Sequence, residues 1–272
     1  MYKYNEKEYA NHILQNGFSN KHMNTEMKIL AKYFKEMGYK PLEREKLLYD
    51  FCEKNIKNFS RIQYFKKVNS ALNYARKNEN KLIVINEIGV TEEELNYIDN
   101  LDLEHIYKKV LFTLIVLTKL NKKVQKIKHP DVENNEFYFG GNPHSYKELV
   151  DSAKIPSGKS KKIKHIHDII GDLHDKGIIE IRTNGFIKLL FMYETADKGS
   201  IIIKLNTFDN IGYYYSLHLN EENIIKCEKC RLLLKSTNNK TKYCHPCSKE
   251  IKKEQNRVAD QKYKEKKRMA RK

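Results

Sequence analysis

The chain has 272 residues, 52 Lys and Arg against 35 Asp and Glu, a formal charge of +17, 40% hydrophobic residues, 11% aromatics and no Trp. That is too long for a disulfide-stapled miniprotein and too apolar for global disorder, and it suggests about two domains of roughly 150 residues each. The longest apolar run, Val110 to Leu117, is interrupted by Thr113 and flanked by lysines, far short of the roughly 20 residues needed to cross a bilayer, and Met1 to Gly17 has no apolar signal region. No membrane association and a cytoplasmic location are therefore expected.

In chain order, residues 4 to 78 read as a run of helices over about Asn5 to Gln15, Asn24 to Met37, Leu42 to Asn55 and Arg61 to Asn78. Met27, Leu30, Ala31 and Phe34 form one apolar stripe and Leu47, Leu48, Phe51 and Cys52 another, as a small helical bundle requires. Leu82 to Ile85 reads as a short strand. Thr91-x-x-Glu94 opens a helix to Leu101 with a capping-box pattern, and Asp102 to Lys123 forms a long helix apolar enough to be central to a core. Residues 1–128 are thus expected as a helical domain, with self-association or protein contacts as its role. His129 to Pro143, with two prolines and Gly140-Gly141, reads as a linker.

Residues 144–224 change character. Ser145 to Ala153 is expected as a helix capped by Ser145, followed by a turn at Ile155-Pro156-Ser157-Gly158. Lys161 to Lys176 follows as a second helix, with Ile163, Ile166, Ile169, Ile170 and Leu173 on one face and Gly177 as its stop. Ile178 to Arg182 and Phe186 to Met192 then flank Thr183-Asn184-Gly185 as a hairpin. Helix, turn, basic amphipathic helix and hairpin together resemble a winged helix-turn-helix. The resemblance implies DNA contact by Lys159, Lys161, Lys162, Lys164 and His165, with Arg182 and Lys188 on the wing touching phosphates. Asp168, Asp172 and Asp175 dilute the charge of the same helix. Ser200 to Asn220 is expected to add paired strands, Ile201-Ile202-Ile203 and Tyr213-Tyr214-Tyr215, to this sheet.

Two patterns here carry less than they suggest. Ala153-x4-Gly158-Lys159-Ser160 satisfies a relaxed phosphate-loop pattern, but no buried apolar strand precedes it. His165, His167, Asp168 and His174 lack the i, i+4 pair with which a helix holds a metal.

The most specific signal is Cys227-x2-Cys230, thirteen residues, then Cys244-x2-Cys247. Two such pairs clamp opposite edges of a tetrahedron, and four thiolates suit a structural Zn2+ with no open catalytic position. The intervening residues are expected to form a small hairpin. Ser248 to Arg271, without Gly or Pro and rich in Lys, Glu, Gln, Arg and Ala, reads as a helix starting at the second pair. Lys249, Lys252, Lys253 and Arg257 recur along it at helical spacing, placing them for phosphate contact. A knuckle, a hairpin and a knuckle at a helix start resemble the treble-clef class of zinc finger, which covers only about residues 225–272. From Ile225 onward there are 17 basic and five acidic residues, a net +12 that leaves +5 for the preceding 224 residues. A compositional bias toward lysine would spread evenly, so the concentration points to a polyanion-binding segment.

The expected fold is therefore α+β and mainly α: an N-terminal helical bundle, a winged-helix-like α/β segment, and a treble-clef zinc finger with a long basic helix. The expected function is a zinc-containing nucleic-acid-binding protein, regulatory or replication-associated, with DNA favoured over RNA. The Tyr243-Cys244-His245-Pro246-Cys247 stretch, its basic helix and the composition resemble uncharacterised phage and mobile-element proteins of AT-rich Gram-positive bacteria. No catalytic constellation stands out, so an enzyme is not expected. The alternatives are a nucleic-acid-processing enzyme that uses the zinc module as a substrate clamp, and an inhibitory protein acting on a nucleic-acid machine.

Overall fold

The computed structural model describes residues 4–19, 21–132, 136–142, 144–155, 165–220, 223–236 and 241–269. The chain is mixed α and β and mainly helical. Four helices open it: α1 (Glu6–Asn16), α2 (Met23–Glu36), α3 (Pro41–Asn55) and α4 (Arg61–Arg76). Their expected stripes are where the core lies, since Met27, Leu30, Ala31, Phe34, Leu48 and Cys52 are all buried in one cluster with Val68, Ala71 and Ala75. Asn5 caps α1 by accepting a hydrogen bond from the Glu8 N–H at 3.1 Å. Burial pushes the Cys52 thiol up to about 12, which makes it an inert apolar filler of this bundle.

The strand expected over Leu82 to Ile85 is instead a single bridge between Asn5 and Val84. The strand proper is β1 (Ile88–Thr91), followed by α5 (Glu92–Asp99) and α6 (His105–Lys128). At the start of α5 the Thr91 N–H donates to Glu94 Oε2 at 2.9 Å, one half of the expected capping box. Glu94 is fully buried and holds Lys119 of α6 at 2.7 Å, while Lys119 also donates to the Gly89 carbonyl at 2.9 Å. This pair pins α5 and β1 to α6. Glu94→Ala leaves the buried ammonium only the exposed carboxylate of Asp197, at 3.3 Å, and should cost about 3–5 kcal/mol, read as a drop in the midpoint of urea unfolding; an unchanged midpoint would mean that Asp197 suffices for the charge.

α6 is the spine of the second and larger core. Val110, Leu111, Phe112, Leu114, Ile115, Val116 and Leu117 are all buried, in one apolar cluster that runs from Ile85 to Leu233. The segment expected as a linker contributes to it, because Phe137 and Phe139 are buried and Tyr138–Gly140 forms β2. The glycine pair that suggested a linker serves a close approach: a Cβ on Gly140 would lie 2.5 Å from the Gly185 carbonyl oxygen.

α7 (Ser145–Ala153) and α8 (Ile166–Asp175) follow. Ser145 is the first residue of α7 and not its cap, its Oγ accepting from the Asn142 N–H at 3.3 Å. Ile166, Ile169, Ile170 and Leu173 of α8 are buried as the periodicity requires. Gly177 adopts φ of +69° and donates to His174 O at 2.8 Å while Ile178 donates to Leu173 O at 3.1 Å, a Schellman stop. The Asn-Gly hairpin forms between β3 (Ile179–Ile181) and β4 (Phe186–Leu189), with Asn184 and Gly185 both at positive φ. β4 pairs on its other side with β2, giving the antiparallel order β2-β4-β3.

The strands expected to extend this sheet do not. After the short α9 (Met192–Thr195), β5 (Ile201–Leu205) pairs antiparallel with the distant β1, Leu205 opposite Ile88, and Tyr213-Tyr214-Tyr215 lies in helix α10 (Gly212–His218). Aromatic content favours strand locally, but Ile211, Tyr214, Tyr215 and His218 fall at i, i+3, i+4 and i+7, and the first three are buried. Tertiary partners decide the matter: Tyr215 is fully buried and its hydroxyl donates to Asp99 at 2.6 Å. Among the described residues no helix is long and apolar enough to cross a membrane.

Candidate metal centre and its basic helix

The last described elements are β6 (Ile224–Lys226), β7 (Leu233–Lys235) and α11 (His245–Met269). β6 and β7 pair antiparallel, and the turn between them carries Cys227 and Cys230. The hairpin thus wraps the first cysteine pair, where the sequence suggested one lying between the two pairs. A six-residue connection suffices because the Cys227 N–H donates to Leu232 O at 2.9 Å and Arg231, at φ of +63°, donates back to Cys227 O at 2.9 Å. Cys244 and Cys247 sit on the first turn of α11, where the Ser248 N–H donates to Cys244 O at 2.9 Å.

This folding brings the four thiol sulfurs within 4.8 Å of one another. Cys230 Sγ and Cys244 Sγ are 3.6 Å apart, close to the about 3.8 Å edge of a tetrahedron with metal–sulfur bonds of about 2.3 Å. Cys227, Cys244 and Cys247 are buried. Four soft donors at this spacing, converging from a turn and a helix start, can hold a metal ion. Desolvation pushes the Cys247 and Cys230 thiols up. At Cys227 desolvation acts the same way but is outweighed by the backbone N–H groups of Cys230, Cys244 and Lys229, which hold it down at about 6. A preformed thiolate at Cys227 beside the raised thiols of Cys230 and Cys247 is a state that a divalent cation completes, by displacing their protons.

Two contacts that the sequence does not advertise fix the unit in place. Lys229, inside the first knuckle, pairs with Glu250 of α11 at 2.7 Å and ties knuckle to helix. Leu233 of β7 is buried in the main core, and Asn210 Nδ2 donates to its carbonyl at 2.5 Å, beside α10. Such long-range contacts leave no periodic or spacing signal.

α11 leaves this anchor as a 25-residue helix, exposed throughout from Lys252 onward wherever its side chains are described. Lys249, Lys252, Lys253 and Arg257 fall within an arc of about 140° at 3.6 residues per turn. Lys249, Lys252 and Lys253 are exposed and form no ion pair among the described residues. Arg257 is held by Glu254 through two hydrogen bonds of 2.7 and 2.9 Å.

The central residues named from sequence fare differently. Lys159, Lys161, Lys162 and Lys164 lie outside the described residues, as does most of the turn before them. His165 is the N-cap of α8, its ring accepting from the His167 N–H at 3.4 Å and stacked on His167 at 5.0 Å, which in turn stacks on Tyr146 at 4.6 Å. Arg182, exposed at the end of β3, pairs with Glu180 at 3.2 Å and Glu136 at 3.3 Å. Lys188 lies over the Tyr193 ring at 4.8 Å. The described exposed face of α8 carries His167, Asp168, His174 and Asp175, with no lysine before Lys176. The structure therefore gathers the four cysteines and the α11 cations into one unit and leaves Arg182 and Lys188 of the β3–β4 hairpin partnered elsewhere.

Comparison of the chain with family models, with curated proteins and with solved structures gives no match in any of the three.

Proposed function

We propose that this is a zinc-containing nucleic-acid-binding protein, with DNA as the favoured polymer. The carrying observation is the coupling of the four-cysteine cluster to an exposed helix whose unpaired lysines face one way. Four thiolates in a closed tetrahedral arrangement favour Zn2+ over harder cations and leave no coordination site for chemistry, so the metal's part is to fix where α11 projects. Knuckle and helix start are the shared parts of treble-clef modules, and that reading of residues 223–269 rests on the same geometry. The order α6, β2, α7, α8, β3, β4 with β2 beside β4 supports a winged-helix reading of this segment, and with it DNA as the polymer.

The acidic and histidine character of the described α8 face argues that phosphate attraction comes from α11 and from the 159–164 lysines, not from the middle of α8. Titration of the zinc-loaded full-length protein with duplex DNA, single-stranded DNA and RNA across a salt series tests this. Duplex binding should weaken linearly in log–log terms, with a slope of about −0.9 per phosphate neutralised. Binding no tighter than that of a charge-matched lysine peptide would exclude the reading and direct attention to protein partners of the helices α1–α4.

A further inference from the structure

The solvent face of an antiparallel sheet is ordinarily polar, yet the outer face of β2-β4-β3 carries the rings of Tyr138 and Phe186, and Tyr193 of α9 stands beside it under Lys188. The pleat turns Phe139, Ile187 and Leu189 into the core and turns Tyr138, Phe186 and Lys188 outward, with Tyr138 directly opposite Lys188 in the register. Tyr138 and Phe186 meet edge to face at 5.2 Å. The Phe186 ring passes against Gly141, where a Cβ would sit only 2.2 Å from it. Tyr193, 47% exposed, stands perpendicular to the buried Phe137 at 5.4 Å, and Lys188 covers Tyr193 at 4.8 Å. Lys188, opposite Tyr138 and over Tyr193, links the sheet rings to Tyr193. None of these three rings is needed to fill the core, which lies on the opposite face with α6, α7 and α8.

We infer that this face is a base-stacking platform for single-stranded DNA, with Tyr193, Tyr138 and Phe186 offering ring faces and edges to unpaired bases and Lys188 contacting the phosphate between them. The inference rests on the nucleic-acid reading above and extends it: α11 takes phosphates by charge, the sheet takes bases by stacking, and the favoured ligand is DNA in which a duplex adjoins a single strand. Glu180 lies opposite Lys188 and Glu136 and Glu180 hold Arg182, so the local charge is nearly balanced. Stacking then dominates, and the single-strand component depends on salt less steeply than duplex binding does.

The absence of Trp gives a clean reporter, because Tyr193→Trp introduces the sole indole into the full-length zinc-loaded chain. A thymine oligonucleotide should quench its fluorescence on saturation, and a blunt duplex should not. Tyr193→Ala and Tyr138→Ala should each weaken oligonucleotide binding about ten-fold, with Tyr193→Phe close to wild type and duplex affinity unchanged. Because Tyr193 is exposed, its variants keep the wild-type melting temperature even if Tyr138→Ala does not. Unchanged oligonucleotide affinity in the Tyr193→Ala protein, or no quenching, overturns the platform and leaves the α11 reading standing wherever duplex binding persists. Loss of all nucleic-acid binding by the unmodified protein overturns both.

Discussion

Removing the metal with a strong chelator, or replacing Cys227 by Ser, is expected to abolish the helical signal of residues 245–269 while the main core stays folded. α11 is polar on nearly all sides and exposed from Lys252 on, so it buries too little apolar surface to hold itself. Among the described residues it is held near its start, by Cys244 and Cys247 in the four-cysteine cluster and by Glu250 pairing with Lys229. Structural zinc binding in small modules amounts to about 10–16 kcal/mol at pH 7, and that free energy is the folding free energy of the module. Circular dichroism should lose the amplitude of one 25-residue helix, elemental analysis should give one zinc per chain before treatment, and metal should be released more readily as pH falls because protons compete for the thiolates. The apolar cluster from Ile85 to Leu233 has its own supports, so the principal melting transition should survive, shifted only as far as Leu233 and Asn210 communicate the change to α10. Full helical amplitude in a metal-free protein would refute the structural role.

Replacing Lys249, Lys252, Lys253 and Arg257 together by Ala is expected to weaken duplex binding on the order of 100-fold at 0.15 M salt and to reduce the salt slope by about three units. The three lysines should account for most of this. Arg257 must first leave Glu254, which holds it bidentately, so Arg257→Ala alone should cost least, and Glu254→Ala should tighten binding by freeing it. All four side chains are exposed and lie on a helix, where Ala is the best helix former, so the variant should keep its circular dichroism and its zinc. Wild-type affinity in the quadruple variant would remove α11 from the interface and leave the lysines at 159–164 as the remaining source of charge.

The helices of residues 4–78 were legible because each carries its own stripe at three- and four-residue spacing, and the structure buries those stripes. The Thr91–Glu94 pairing, the Gly177 stop and the Asn-Gly turn were legible for the same reason: each is a bargain between residues close in sequence. Misreadings cluster where local preference and distant packing disagree. Tyr213-Tyr214-Tyr215 looks β-rich but becomes helix α10 because Asp99 takes the Tyr215 hydroxyl and Gly212 passes so close to Ala153 that a Cβ would lie 2.2 Å from its carbonyl oxygen. Gly140-Gly141 looks like a linker but supplies the clearance that lets β2 lie against β4 and Phe186 lie over the chain.

The candidate site divides along the same line. Sequence alone picked out the four cysteines that the structure gathers within 4.8 Å, because the spacing of two CxxC pairs suits a tetrahedron, and it determined the helix and the charge that follow them. Only the tertiary structure decided that the hairpin wraps the first pair, that Lys229 and Asn210 lock the unit to helix and core, that Arg182 and Lys188 of the β3–β4 hairpin are partnered, and that Tyr193 of α9 stands beside the two rings on the outer face of the central sheet. Spacing and periodicity report what a residue does with neighbours a few positions away. Pairing between β1 and β5 depends on which buried surfaces fit each other across more than a hundred residues, and the seating of Leu233 beside α10 spans more than twenty; no local pattern records either.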